Sequence, residues 1–279
     1  MVDTSHLALH PWNTGFSWTD CHGPFRALSA DQAAQFNRDG YVVLEDVFAA
    51  EELRPVVAEL DRCEARVDAF LQTQEDGRFS IAESGAITIA PMLTAHSPLL
   101  AQFIRHPTLM DLCSDLIGPD VNLYWDQAVY KKTEKPRRVP WHQDNGYKYL
   151  EPQAYLTCWI ALTDATIANG CPQVASGMHR LGTLRHTYVE PLGWECFADP
   201  PRSVPAPVRA GGIVVFSSLT PHLTGPNTTP SVRKAYIVQF APAGATALLG
   251  DPDVEKETER VVQNDPSYQF AVLRDGRCV

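Results

Sequence analysis

Apolar positions have two textures along this chain. As far as about residue 120 they recur mostly with helical spacing; beyond it they come in short dense runs divided by Gly, Pro and Asn. Ser29-Ala-Asp-Gln32 is a capping-box pattern that predicts a short helix, Gly40 suits its stop, and Tyr41-Val-Val-Leu44 follows as a strand. Over residues 50–73, Leu53, Val56, Val57, Leu60, Cys63, Val67, Phe70 and Leu71 form the i, i+3, i+4, i+7 stripe of an amphipathic helix. That stripe is assigned to packing against a sheet. Residues 75–87 read as a loop or hairpin, and residues 97–117 as a helix broken near Pro107 and stopped by Gly118. Strands are then expected at 121–131, 139–144, 155–163, 184–189, 213–217 and 233–240. The segment 191–208, with Pro191, Pro200, Pro201, Pro205 and Pro207, reads as a long loop of the kind that forms lids or binding loops. Residues 1–27 show no period and read as an irregular arm whose aromatics pack on the domain and help cover a site mouth.

Helices first and many short, antiparallel-looking strands afterwards predict a mainly β fold with supporting α-helices, a jelly roll or double-stranded β-helix of cupin-like type. The 279 residues are expected to form a single domain: arm 1–27, mainly helical support 28–120, jelly-roll core 121–242 and a C-terminal extension 243–279. No dinucleotide or nucleoside-triphosphate loop motif is present, and no repeat of 20–50 residues.

A net charge of −10 argues against nucleic acid or an anionic membrane as partner, and no apolar run approaches the length that spans a bilayer. Met1-Val-Asp-Thr-Ser-His6 has neither the basic nor the apolar region of a signal peptide, and Arg277-Cys278-Val279 is no prenylation box. Seven scattered cysteines, never in C-x-x-C spacing, fit reduced thiols in a cytoplasmic protein with no catalytic part. One stretch departs from the acidic background: Lys131-Lys-Thr-Glu-Lys-Pro-Arg-Arg138 carries five cations and one anion. It reads either as a solvated loop or as a local attractor for an anionic substrate.

The chemistry gathers around Trp141-His142-Gln143-Asp144. If these residues are extended, His142 and Asp144 share one face and Gln143 points away. With His222 as a third ligand they make a 2-His-1-carboxylate set, which leaves open positions on a non-haem Fe(II). After His222, Gly225-Pro226-Asn227 and Pro230 signal a reversal, and Arg233 opens a returning strand that brings its guanidinium back toward the metal to grip a carboxylate. Zinc, or three satisfied polar residues in a β core, are the competing readings of the trio. His179 is assigned to structure, since a facial triad needs no fourth protein ligand.

This ordered set resembles the phytanoyl-CoA dioxygenase family of Fe(II)/2-oxoglutarate oxygenases over roughly residues 28–242. The resemblance rests on Phe36-Asn-Arg-Asp-Gly-Tyr-Val-Val-Leu44, Pro140-Trp-His-Gln-Asp144, Asp164-Ala-Thr-Ile-Ala-Asn-Gly170, Gly177-Met-His179, Gly211-Gly-Ile-Val-Val-Phe216, Pro221-His222 and Arg233. It implies that 2-oxoglutarate chelates the iron held by His142, Asp144 and His222, with its far carboxylate on Arg233. It further implies that Thr224 assists that carboxylate and that Gln127 touches the cosubstrate. Trp159 matches an aromatic lining the cosubstrate pocket, with core filling as its other reading. Thr88 stands near a position where some relatives carry Lys and supplies no cation, which throws the anchoring onto Arg233. The reaction implied consumes O2 and releases succinate and CO2 while a small-molecule substrate is oxidised. Retention of Asp144, where related halogenases have a small residue, points to hydroxylation, desaturation or epoxidation. Lys131, Tyr147 and Tyr149 are the candidates for substrate contact. A non-catalytic sensor on the same fold and a non-redox cupin-like metalloenzyme are the alternatives. Substrate identity, a CoA thioester included, and oligomeric state stay open.

Overall fold

Ser29 opens the first helix as its pattern predicts. In the computed structural model, which describes residues 7–133, 139–200, 202–254 and 258–279, the Gln32 N–H donates to Ser29 Oγ and the Ser29 N–H to Gln32 Oε1. Helix α1 (Ala30–Asp39) ends at Gly40, whose φ of 80° is open to glycine at little cost. Strand β1 (Tyr41–Leu44) follows directly. Helix α2 (Ala50–Gln72) buries Leu53, Val56, Leu60 and Leu71 of the stripe read from its periodicity, and Val57, Cys63 and Val67 pack partly buried on the same core, whereas Phe70 near its end is exposed. The helix expected to break at Pro107 does so, giving α3 (Pro98–Phe103) and α4 (Pro107–Leu116), each with proline in its first turn, where no N–H is missed.

The β part comprises β2 (Ile87–Pro91), β3 (Val121–Lys131), β4 (Leu156–Ala161), β5 (Pro172–Val174), β6 (Ile213–Ser217), β7 (His222–Thr224) and β8 (Arg233–Pro242), with a one-turn helix α5 (Asp144–Tyr147) between β3 and β4. The large sheet runs β1-β6-β4-β8-β3-β2 and continues into the short hairpin strands Ala82–Glu83 and Arg78–Phe79; every pairing is antiparallel. A small sheet, Val204–Pro205 beside β5 beside β7, faces it. Period-2 alternation sorts the large sheet into two faces. Cys158, Ile160, Ile213, Val215, Tyr236 and Val238 pack with Leu60, Leu100 and Leu112 of the helices. Trp159, Ala161, Val214, Phe216, Ala235 and Ile237 face inward against Val174 of the small sheet. The result is the mainly β jelly roll with a helical support layer that the pattern implied.

Two of the expected elements need correction. The strand expected at 139–144 is reduced to isolated bridges at Trp141 and His142, because Asp144 already begins α5. The segment 191–208 is no plain loop: Gly193–Glu195 forms a hairpin with Thr187–Val189, and Val204–Pro205 edges the small sheet. Residues 243–279 are woven into the β layers, with Ala271–Arg274 pairing β3 and Thr246–Leu249 pairing Leu150–Glu151. The basic stretch is largely outside the described residues, at 134–138; of its start, Lys131 is buried in β3 and Lys132 pairs with Glu64 and Asp68 of α2. Among the described residues no helix is long and apolar enough to cross a membrane.

The arm packs on the body as expected. Trp18 meets the His179 ring edge-on at 4.3 Å, and Trp12 meets Tyr149 at 5.6 Å. His179 is fully buried, with Nε2 3.2 Å from Asn37 O, which makes it structural.

Gly40→Ala is expected to lower stability by about 2–4 kcal/mol in urea unfolding, from left-handed backbone strain plus overpacking. The new Cβ would lie 2.5 Å from both His179 Nδ1 and Thr220 Oγ1. Burial pushes the pKa of His179 down to about 4. An unfolded histidine binds its proton near 6.5, so the unfolded state takes up more protons between these values and stability falls as pH drops through that window. His179→Gln should show a smaller fall in unfolding free energy between pH 7 and 4.5 than wild type, by up to about 3 kcal/mol.

Candidate metal centre

Two histidines are brought together by main chain. His142 and His222 sit opposite each other in an isolated antiparallel bridge and exchange both hydrogen bonds, His142 N–H to His222 O at 3.1 Å and His222 N–H to His142 O at 2.8 Å. Directly opposed residues project to the same face, and the two ring centroids are 4.4 Å apart. Each Nδ1 lies on the carbonyl two residues upstream: His142 on Pro140 O at 3.1 Å, His222 on Thr220 O at 3.0 Å. With Nδ1 as the donor, both rings present a bare Nε2 lone pair, the arrangement metal-ligating imidazoles use.

Asp144 completes the set. Gln143 is extended (φ −103°, ψ 144°), so Asp144 returns to the face of His142 as α5 begins. Its Oδ1 is 3.7 Å from His222 Nε2, and its Oδ2 accepts from Thr157 Oγ1. One ligand atom from each of His142, Asp144 and His222 lies within 4.8 Å of the others. Two neutral nitrogens and one carboxylate on one side suit a divalent transition metal and leave the other side open. Burial pushes both imidazole pKa values down to about 4, that of His142 helped by its neighbour His222, so both are neutral ligands at physiological pH. Burial also pushes the Asp144 carboxyl up, opposed by His142 and by hydrogen bonds from Thr157 and Gln239; a bound cation would favour its ionised form.

Gln143, facing away from the metal side, holds this geometry. Its Nε2 donates to Leu219 O at 2.6 Å and Gly182 O at 3.0 Å, and its Oε1 accepts from Leu184 N–H at 2.7 Å. Its own N–H donates to His186 Nε2 at 2.9 Å. The side-chain amide and the backbone N–H of the residue between the two ligands are thus tied to the loops at 182–186 and 219, while its carbonyl accepts from Gly146 N–H at 2.9 Å.

Two cavities meet at the triad, with His142, Asp144, Gln127 and Gln239 on their shared wall. The inner one, about 140 Å³, runs past Thr157, Trp159 and His222 to Lys131 and Thr224. The outer one, about 410 Å³, is walled by Tyr124, Trp125, Tyr155, Lys148, Tyr268 and Gln269. Its shape depends on a β-bulge: Gln239 pairs with Trp125 but Phe240 pairs with Leu123, so Tyr124 is the extra residue. A bulge breaks the alternation, and Tyr124 and Trp125 both face the cavity.

The structure gathers most of the residues singled out by sequence. Arg233, at the head of β8, is fully buried; it pairs in register with Lys131 of β3, and its guanidinium carbon lies 5.1 Å from the Trp159 ring. Lys131 Nζ donates to Gly225 O at 2.7 Å and Thr224 O at 3.1 Å. Lys131, expected beside the substrate, is therefore placed on the inner cavity near Arg233, Thr224 and Trp159. Gln127 lines both cavities, and Tyr147, half exposed, stands at the mouth edge-on to His142 at 5.1 Å. Two candidates are placed elsewhere. Thr88 sits on the helix-facing side of β2, its hydroxyl donating to Glu64 Oε1 at 3.0 Å, while Ile87 and Ile89 face inward. Tyr149 is buried, its hydroxyl donating to Trp12 O at 2.8 Å, so it clamps the arm. No described residue of the arm or of 191–208 lines either cavity.

Sequence reading missed Thr157, Gln239, Lys148, Tyr268 and Gln269. Gln239 was legible, since period-2 counting from Arg233 puts 235, 237 and 239 on the same face. Tyr268 and Gln269 carried no local signal; they reach the cavity because the C-terminal strand at 271–274 docks on β3.

Comparison with known proteins shows the family and the fold. The family profile described as phytanoyl-CoA dioxygenase matches residues 36–235. An ectoine dioxygenase of Bordetella parapertussis is 27% identical over 230 residues, 74% of this chain and 73% of the relative. The rat phytanoyl-CoA dioxygenase domain-containing protein 1 is 28% identical over 267 residues, 78% of this chain and 92% of the relative. Among solved structures, EctD from S. alaskensis with 2-oxoglutarate and 5-hydroxyectoine superposes with a TM-score of 0.65 at 24% identity, covering 95% of this chain and 93% of that one. The epimerase SnoN in complex with Fe3+ and alpha ketoglutarate superposes with a TM-score of 0.66 at 23% identity, covering 86% and 97%.

Gln143→Leu keeps all three ligands but removes the hydrogen bonds that orient two of them. It is expected to weaken Mn(II) binding, followed by electron paramagnetic resonance titration, about 10- to 100-fold. The same substitution strands the Leu184 N–H and two carbonyls, so the metal-free variant should also lose about 1–3 kcal/mol in urea unfolding.

Proposed function

The chain belongs to the phytanoyl-CoA dioxygenase family and is a 2-oxoglutarate-dependent dioxygenase using Fe(II) and O2, and from that premise we propose that it hydroxylates an unactivated C–H bond of a small molecule. The observation that carries the reading is the pair of cavities meeting at His142 and Asp144, the inner one reaching Lys131, which pairs across the sheet with Arg233. A non-catalytic sensor or a non-redox metalloenzyme has no need of that inner compartment.

The residues fit the iron: His142 Nε2, His222 Nε2 and an Asp144 oxygen would hold it, with soft ligands absent from the set. Fe(II) with 2-oxoglutarate and O2 supplies the oxidising chemistry at this triad, the cosubstrate leaving as succinate and CO2. What the chain contributes is placement. Arg233 offers a planar fork to the far carboxylate of the cosubstrate, as Arg does better than Lys. Lys131 adds a second positive charge from the facing position on β3 and ties down the Thr224–Gly225 turn, from which the Thr224 hydroxyl would assist the same carboxylate. Trp159 closes the compartment beneath the guanidinium. Thr157 and Gln239 hydrogen-bond Asp144 and fix the oxygen it turns to the metal. The outer cavity then presents the substrate's C–H bond on the open side of the triad. At about 410 Å³ it suits a compact metabolite. Asp144 occupies the position that a halide ligand would need, which favours hydroxylation.

The test is succinate release from 2-oxoglutarate by Fe(II)-loaded protein on admission of air. Wild type should turn over slowly without added substrate, and His222→Ala should abolish it. Arg233→Ala should raise the apparent KM for 2-oxoglutarate about 10- to 100-fold, the worth of a charge-assisted pair. Absence of succinate from wild type under all conditions would remove the oxygenase reading.

A further inference from the structure

The outer cavity holds a charge that the triad does not use. Lys148, immediately after α5, is one of its lining residues, and among the described residues it is the one cation there. The side chain is about half withdrawn from solvent, and its Nζ donates to Gln263 Oε1 at 3.0 Å. That partner is a neutral amide. No carboxylate of the described residues pairs with Lys148, and the one influence lowering its pKa is burial. Elsewhere on this protein the half-buried lysines have acids: Lys132 has Glu64 and Asp68, and Lys234 has Asp61 at 2.7 Å. A partly desolvated ammonium without a counter-charge is costly unless something supplies one.

The support behind Lys148 is itself built. Gln263 Oε1 also accepts from Gln269 Nε2 at 3.2 Å, and the Gln269 carbonyl accepts from Asn122 Nδ2 at 3.3 Å. Gln263 and Gln269 are nearly inaccessible, 5% and 4% exposed. The cation is therefore held in place by the C-terminal segment, which also contributes Tyr268 and Gln269 to the same wall. The rest of the cavity is mostly apolar and rich in aromatic rings. Tyr124 and Tyr155 meet edge-on at 5.1 Å, and Trp125 and Ile89 complete the walls. Neither the Tyr124 nor the Tyr155 hydroxyl has a hydrogen-bond partner among the described residues. Planar aromatic walls of this kind select planar bodies.

We propose that the substrate of the outer cavity is an aryl carboxylate, with its carboxylate on Lys148 and its ring against the wall made by Tyr124, Trp125 and Tyr155. The proposal rests on the oxygenase reading only in taking this cavity as the substrate's; the ligand class follows from the cation and the walls. Recognition then has two ends, since the carboxylate pins one end of the molecule and leaves the other directed at the triad. It also gives the C-terminal segment a part in specificity, because Gln263 sets where the ammonium stands.

The experiment is a calorimetric titration of anaerobic protein saturated with Fe(II) and 2-oxoglutarate. The probes are 4-phenylbutanoate and indole-3-propanoate, each against its primary amide, which keeps the shape and removes the charge. Wild type should bind each acid at least tenfold tighter than its amide. Lys148→Met should erase that preference, Lys148→Arg should retain it, and Gln263→Leu should reduce it. Equal binding of acid and amide, no binding of either acid, or an unchanged preference in Lys148→Met would each overturn the proposal. So would a tenfold loss of 2-oxoglutarate affinity in Lys148→Met with the acid preference intact, which would move Lys148 to the cosubstrate. Succinate release by wild type, without substrate and with each acid, reports separately on the oxygenase reading: its absence under all of these conditions alongside an intact acid preference would sink that reading and leave this one standing.

Discussion

Everything at the centre of this protein depends on one two-residue bridge. The backbone of His142 and that of His222 exchange both of their hydrogen bonds, although the residues are far apart in sequence and neither belongs to a long ladder. That exchange fixes the separation and facing of two imidazoles with main-chain precision and leaves the side chains only ring rotation to settle. The Pro140 and Thr220 carbonyls then settle the rotation and the tautomer together. A metal site made this way asks little of side-chain entropy, because its two nitrogen donors are placed before any ion arrives.

The surrounding jelly roll serves that bridge. The large sheet turns its helix-facing side chains into a continuous apolar layer and keeps the opposite face for chemistry. Because strands alternate strictly, the residues given over to the site are Gln127, Val129 and Lys131 on β3, Thr157 and Trp159 on β4, and Arg233, Ile237 and Gln239 on β8. One departure from alternation, the bulge at Tyr124, widens the outer cavity by turning two adjacent aromatics the same way. The division into a small cationic compartment and a larger aromatic one follows from register and one bulge.

The helices bear on the site at second hand. Asp126, on the helix side of β3, accepts from Tyr236 Oη at 2.8 Å, Thr94 Oγ1 at 2.8 Å and Leu93 N–H at 3.0 Å. Those bonds lock β3, β8 and the turn at 93–95 together behind the cavity. Four donors satisfy one buried carboxylate, whose pKa burial nonetheless raises against their pull. The rigidity of the pocket floor is thus set on the face opposite to the one that meets ligands.

What the sequence determined by itself was everything carried by short-range rules. Capping chemistry set both ends of α1, helical periodicity found α2, proline divided α3 from α4, and strand texture located β3, β6 and β8 within a residue or two. Residue type and order brought His142, Asp144, His222 and Arg233 into view, since few chemistries use that set. Tertiary structure decided the rest, because facing depends on register and on what docks from afar. Thr88 points to α2 because Ile87 and Ile89 take the inner face of β2. Tyr149 is lost to the arm because Trp12 offers it a carbonyl, and Lys131 moves to the inner cavity because β3 pairs it with Arg233. Tyr268, Gln269 and the Gln263 support of Lys148 come from a segment whose sequence says nothing of the pocket, and only the docking of 271–274 on β3 brings them there.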